Sequence, residues 1–109
     1  MGIVVFVTYR PRAGEGNRST LLELVRIHVP LLRELGMATD RPGMILERRG
    51  EGDEIVEVFE WVTEERSRAA HDDEQVADLW RRMAEVAEFI PLADLDESKR
   101  PFTHFDPLG

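Results

Sequence analysis

Residues 54–94 read EIVEVFEWVTEERSRAAHDDEQVADLWRRMAEVAEFIPLAD, and their order decides the fold. From Glu54 to Trp61, β-branched and aromatic residues alternate with glutamates, the pattern of a strand. Thr63 then precedes Glu64 and Glu65, a capping residue followed by two acids that suit the positive end of a helix dipole. This short helix ends in His71. Asp72 or Asp73 caps the next helix, with Gln75 as the box partner of Asp72. Along it, Val76, Leu79, Trp80, Met83, Val86 and Ala87 recur at helical spacing. Phe89 to Ala93 is the last strand, and its Pro91 suits an edge or a bulge. The stretch is therefore a strand, a helical region in two pieces, and a strand.

The upstream half mirrors it. Ile3 to Arg10 is a strand closed by Pro11, with Ile3, Val5, Val7 and Tyr9 on one face and Val4, Phe6 and Thr8 on the other. The loop at residues 12–18 places Glu15 between two glycines, which suits a turn better than a phosphate cradle. Thr20 and Glu23 form a capping box for a helix that carries Leu21, Leu24, Val25, His28, Leu31, Leu32 and Leu35 and stops at Gly36. Pro30 removes the hydrogen bond to the Arg26 carbonyl, so a kink or a split is expected there. Met44 to Arg49 pairs with the Glu54–Trp61 strand across the turn at residues 50–53.

The expectation is one α+β domain over residues 1–109, in the order β-α-β-β-α-β. This is the ferredoxin-like topology: an antiparallel four-stranded sheet with helices on one face. The first strand is nevertheless apolar on both faces. A second copy of the same sheet is the simplest cover, giving a homodimer whose sheets close an α/β barrel. Residues 95–109 form a tail rich in aromatics (Phe102, Phe105), expected to pack on the sheet or on the partner subunit.

Composition narrows the function. A net charge of −8 disfavours nucleic acid and anionic membranes. With no cysteine, thiolate chemistry and disulfides are excluded. The longest apolar run, Ile3 to Val7, is far below the roughly 20 residues of a spanning helix. Cytoplasmic location is the default expectation. The three histidines have no local ligand spacing, so no metal and no cofactor is implied.

The strand at Val56–Trp61, the helix opening at Thr63-Glu64-Glu65 and ending in Ala69-Ala70-His71, the Val76…Leu79-Trp80 helix and the strand starting at Phe89 resemble the dimeric α/β-barrel superfamily. Within it, they resemble the antibiotic-biosynthesis-monooxygenase-like domains. The resemblance covers about residues 3–94 and implies a ligand held between the helices and the sheet of each subunit. It implies a pocket role for His71, under the first helix. Haem-degrading relatives carry an iron-ligating histidine on the last helix, where this chain has Trp80, Arg81 and Arg82.

Read as residues, His28 lies on the apolar face of its helix, as a core histidine or as a pocket acid or base. His71 is either a helix-terminal cation or a pocket group. Trp61 and Trp80 are core residues or the stacking walls of a site for a planar ligand. Tyr9, Arg10 and Glu60 end strands near a cavity mouth. Arg48, Arg49, Glu47 and Glu57 are expected to form a cross-strand charge lattice. The candidate catalytic residues are His28 and His71, and the candidate substrate-binding residues are Tyr9, Trp61 and Trp80. Two functions follow as expectations. One is a cofactor-independent monooxygenase or isomerase acting on a small aromatic or polyketide-like compound. The other is a non-catalytic dimeric ligand-binding or accessory protein. An RNA-binding module of this topology needs basic and aromatic residues exposed on its central strands, where this chain offers Glu54, Glu57 and Glu60.

Overall fold

In the computed structural model, which describes residues 2–109, β1 (Ile3–Pro11) lies between two later strands of one antiparallel sheet. The other elements are α1 (Asn17–Glu34), β2 (Met44–Arg48), β3 (Ile55–Trp61), α2 (Glu64–Ala69), α3 (Glu74–Val86), β4 (Ala87–Ile90) and β5 (Phe105–Pro107). Short 3₁₀ turns occupy Ala70–Asp72, Leu92–Asp94 and Asp96–Lys99. The strand order is β4-β1-β3-β2-β5. The sheet thus has five strands where the sequence predicts four. The additional strand comes from the tail: Phe105 pairs with Arg48 and Pro107 with Leu46, extending the β2 edge.

Register sorts the side chains. Val5 pairs with Phe59, Val7 with Glu57 and Tyr9 with Ile55, so these six share the face that α1 and α3 cover. Tyr9, Leu21, Leu24, Val25, Ile55, Leu79, Met83 and Ala87 form one buried cluster there. Val29, Leu32, Phe59, Trp61, Ala70 and Val76 belong to a second, adjoining cluster. On the opposite face the tail lays Leu95 over Val56 and Val58, with Leu92 and Phe105 beside them.

Local signals place most boundaries. Gly36, at φ 76°, ends α1 by letting Met37 N–H reach the Leu32 carbonyl at 2.8 Å and Gly36 N–H the Arg33 carbonyl at 3.0 Å. Thr63 Oγ1 accepts from Arg66 N–H at 3.1 Å and caps α2. Asp73, not Asp72, caps α3: its Oδ1 accepts from the backbone N–H groups of Gln75 and Val76. Asp72 lies in the preceding 3₁₀ turn, so the Asp72–Gln75 box does not form.

Three other expectations are corrected. First, α1 starts at Asn17, three residues before Thr20, because Gly16 takes a left-handed conformation (φ 82°) that turns the chain into the helix without a side-chain cap. Second, the helix is not split at Pro30: it runs through to Glu34, with Pro30 on its exposed side. Third, β4 starts directly after α3 and ends at Ile90, so Pro91 lies outside the strand. Among the described residues, no helix is long and apolar enough to cross a membrane.

Candidate functional site

The helix-facing side of the sheet carries a polar interruption. Glu57 sits on β3 with Ile55 before it and Phe59 after it in the same parity, and it is 1% exposed. Its carboxylate is therefore cut off from water and requires donors. Two reach it. Tyr9 on β1 donates its hydroxyl to Oε1 at 2.7 Å, and His28 on α1 places Nδ1 2.9 Å from Oε1 and 3.1 Å from Oε2. The charge lattice predicted for Glu57 does not form. Its place on the helix-facing parity turns it inward, while Glu47 pairs with Arg18 and Arg49 with Asp106 at the surface.

The chain of contacts continues through the imidazole. Trp80 on α3 donates its indole N–H to His28 Nε2 at 2.9 Å. Tyr9, Glu57, His28 and Trp80 thus link two strands and two helices in one hydrogen-bonded series. Burial pushes the Tyr9 phenol well above its usual range, and the neighbouring Glu57 carboxylate and their hydrogen bond push it further.

A pocket of about 330 Å³ opens beside this series, lined by Val7, Tyr9, His28, Phe59, Trp61, His71, Trp80 and Phe89. Every candidate catalytic or binding residue named from the sequence contributes to its wall. Their relations differ. His28 is buried and held on both ring nitrogens, whereas His71 is exposed and lies in the 3₁₀ turn after α2, its ring edge-on to Trp80 with centroids 4.9 Å apart. Trp80 stands between them, with its ring 6.2 Å from His28. Trp61 stacks edge-on to Phe59 at 5.0 Å and forms the far wall. Pro30 does not line this pocket. Arg10 and Glu60 lie away from it as well: Arg10 pairs with Glu54, and Glu60 accepts from Thr39 and pairs with Arg41.

Within this hydrogen-bonded series, Glu57 is the residue whose surface position expected from the sequence is not observed. The signal was available in the alternation Ile55-Glu57-Phe59-Trp61, which sets this glutamate on the same face as three large apolar residues, whereas Glu54 and Glu60 share the other parity.

A larger concavity, about 470 Å³, lies at the other side of the sheet among Arg48, Arg49, Glu51, Asp96, Glu97, Arg100 and His104. It mixes both signs of charge, and Arg48 is already held by Glu54 and Glu97. The smaller aromatic pocket is the better site because polar groups there converge on an otherwise apolar wall. Among the described residues, no group of three or more His, Asp or Glu has a metal-binding arrangement. No family model, curated protein or solved structure matches the chain. The site therefore rests on its own geometry.

Proposed function

We propose that the protein binds a small planar, largely apolar compound in the pocket between Trp61, Trp80 and His28. In this reading it is an antibiotic-biosynthesis-monooxygenase-like member of the dimeric α/β barrels. The observation that carries this is the convergence of Tyr9, His28, Trp61, His71 and Trp80 on one pocket of about 330 Å³. An engineered apolar cavity of about 150 Å³ holds one benzene ring, so the volume suits two or three fused rings. Four further features support it: the βαββαβ order, the strand order β4-β1-β3-β2 of a ferredoxin-like subunit, the aromatic walls, and, among the described residues, a lining without Lys or Arg.

The chemistry that suits such a pocket is proton removal from an acidic hydroxyl or carbon. The resulting electron-rich anion is then reprotonated elsewhere, as in an isomerase. Alternatively, the carbanion of a CH₂ group reacts with dioxygen: one oxygen atom becomes the carbonyl oxygen of the product, and the other leaves as water with the two hydrogens the carbon loses. One observation favours the second reading, a ligand-binding or accessory protein without turnover: the Nε2 lone pair of His28 is already taken by Trp80.

The test of binding is a thermal-stability screen of quinones, hydroxylated aromatics and haem. A compound present at a hundred times its Kd adds about 2.7 kcal/mol, a rise on the order of 10 °C for a domain of this size. Trp61 and Trp80 are the chain's two tryptophans and both line the pocket, so the same compound quenches the intrinsic fluorescence. If no planar aromatic compound shifts the melting temperature or the fluorescence, the reading is wrong.

A further inference from the structure

We infer that Glu57 is a positioning residue that makes His28 the proton acceptor of the pocket, and that the Trp80 indole N–H keeps this acceptor closed until a ligand displaces it. The inference rests on the small-molecule reading above and decides which group acts within it.

The assignment follows from counting protons. An indole N–H only donates. Its partner at 2.9 Å, His28 Nε2, therefore presents a lone pair and carries no proton. In a neutral imidazole the other nitrogen holds the proton, and Nδ1 faces both oxygens of Glu57 at 2.9 and 3.1 Å. Tyr9 supplies a second donor to the same carboxylate. Among the described residues, no Arg or Lys pairs with Glu57, so its charge is compensated only by hydrogen bonds from neutral groups. A positive charge arising on His28 finds its counter-ion already in contact. An imidazole oriented by a buried carboxylate, with its second nitrogen toward a cavity, is the arrangement of a general base.

Trp80 supplies the gate. It is partly exposed and lines the pocket. A ligand that turns the indole frees the Nε2 lone pair. An acidic O–H or C–H of that ligand then gives its proton to Nε2, the bonding pair stays on the ligand as an anion, and the imidazolium keeps its Nδ1–H on Glu57. Among the described residues the pocket wall has no Lys or Arg, so the imidazolium is also the donor that steadies the anion. His71 is unsuited to this role: it is exposed, and among the described residues no carboxylate or donor holds its ring in one tautomer.

Two measurements test this. In the free protein, long-range ¹H–¹⁵N spectra read the His28 tautomer with no ligand present. The expected result at neutral pH is Nδ1 protonated and Nε2 bare; a proton on Nε2 overturns the assignment. For proton transfer, 4-nitrophenol is the probe, since its phenolate and phenol absorb at different wavelengths. Bound to the native protein, it should be more ionised than in water at the same pH. Glu57→Gln keeps the shape and an acceptor oxygen but removes the charge. It should lower the ratio of bound phenolate to bound phenol about tenfold and leave affinity for the phenol within a few-fold. Trp80→Phe keeps an aromatic ring but removes the donor, and should raise that ratio. An unchanged ratio in Glu57→Gln overturns the positioning role, and a fall in Trp80→Phe overturns the gate. If 4-nitrophenol does not bind, the tautomer alone decides the proton assignment, and the thermal-stability screen decides the ligand reading.

Discussion

Tyr9 is the only tyrosine in the chain, so its ionisation can be followed by ultraviolet absorbance without interference from another phenol. Burial first, and the Glu57 carboxylate second, hold the folded-state value well above the ordinary one near 10. Below pH about 10 both folded and unfolded chains keep this proton, and the contribution to stability is complete. As pH rises further, the unfolded chain releases the proton while the folded one retains it, so stability falls with pH through that window. Tyrosinate absorbance should therefore stay absent from the native protein at alkaline pH and appear together with unfolding. A titration near 10 with the fold intact would show that Tyr9 is not in this environment. Tyr9→Phe leaves Glu57 one donor short and should destabilise the fold by about 1.5–3 kcal/mol, read as the urea midpoint. Thr8, the next residue, makes the opposite case. Its hydroxyl is buried between Val56 and Ile90 and has no hydrogen-bond partner among the described residues. Thr8→Val should be neutral or stabilising by about 1 kcal/mol, and a loss of more than that would reveal a partner for the hydroxyl. At this scale the pocket lining was legible wherever a residue's type is informative alone: His28, His71, Trp61, Trp80 and Tyr9 all lie in its wall. Glu57 was misread because a glutamate among alternating glutamates looks solvated until its parity is compared with that of Phe59 and Trp61.

Helices and strands were legible where backbone punctuation is local. Gly36, Thr63 and Asp73 act through bonds that close within a few residues, and each of these appears in the sequence as a stop or a cap. The start of α1 was not, because it depends on the conformation of Gly16 and not on a side chain. Nor was β5, whose three residues become a strand only by pairing with the β2 edge, a contact some sixty residues away in sequence. Pro30 shows tertiary packing prevailing over local preference. The helix continues through it because His28, Val29 and Leu32 are all buried, even though the Arg26 carbonyl loses its donor. Pro30 itself is exposed, so Pro30→Ala restores the hydrogen bond without opening a cavity. It should stabilise the fold by roughly 1–3 kcal/mol; a loss of stability would mean the ring is packed. The tail is held by charge as well as by Leu95. Arg48 Nε lies within 3.0 Å of both Glu97 oxygens, its Nη1 is 3.0 Å from Glu54, and Arg10 takes the other Glu54 oxygen. The Arg48 hydrogen bond holds Glu97 below the usual carboxylate range. Burial opposes ionisation of Glu54, but the bonds from Arg10 and Arg48 outweigh it and lower that group too. With folded values depressed, this stabilisation is present above pH about 4.5 and is lost as pH falls through the folded values. Acid should therefore release the tail, and Arg48→Met should do so at neutral pH. The cost should fall between the roughly 1 kcal/mol of an exposed pair and the 3–5 kcal/mol of a buried one. Hydrogen exchange at Leu95–Arg100 that stays as slow in the variant as in the native protein would dismiss the clamp.

At the scale of the molecule, the face of the sheet away from α1 and α3 is graded across its strands. At one end Arg10, Glu54 and Arg48 form a charged row. Next to it, Ile90, Thr8, Val56 and Leu46 lie side by side across four strands, covered by the tail. Beyond that, Phe6, Val58 and Met44 form a third row across β1, β3 and β2, where the tail covers Val58 through Leu95 but leaves Phe6 55% exposed and Met44 51%. The tail packs on the sheet, one of the two places expected for it, and covers part of the second apolar face; its register on β2 is a long-range property that the sequence did not disclose. What remains bare, Phe6, Met44 and Val4, is the surface that the proposed dimer would bury. In a two-fold interface each substitution acts twice. Burying a Phe side chain is worth about 1.5–3 kcal/mol, so Phe6→Glu should weaken association by roughly 3–6 kcal/mol, on the order of 10²- to 10⁴-fold in dissociation constant. The monomer's own melting behaviour should change little, since Phe6 is half outside the fold already. Sedimentation equilibrium of the native protein should give a dimer at micromolar concentration and of Phe6→Glu a monomer. A native protein that sediments as a monomer at that concentration rules out the barrel, and the pocket must then function within a single chain.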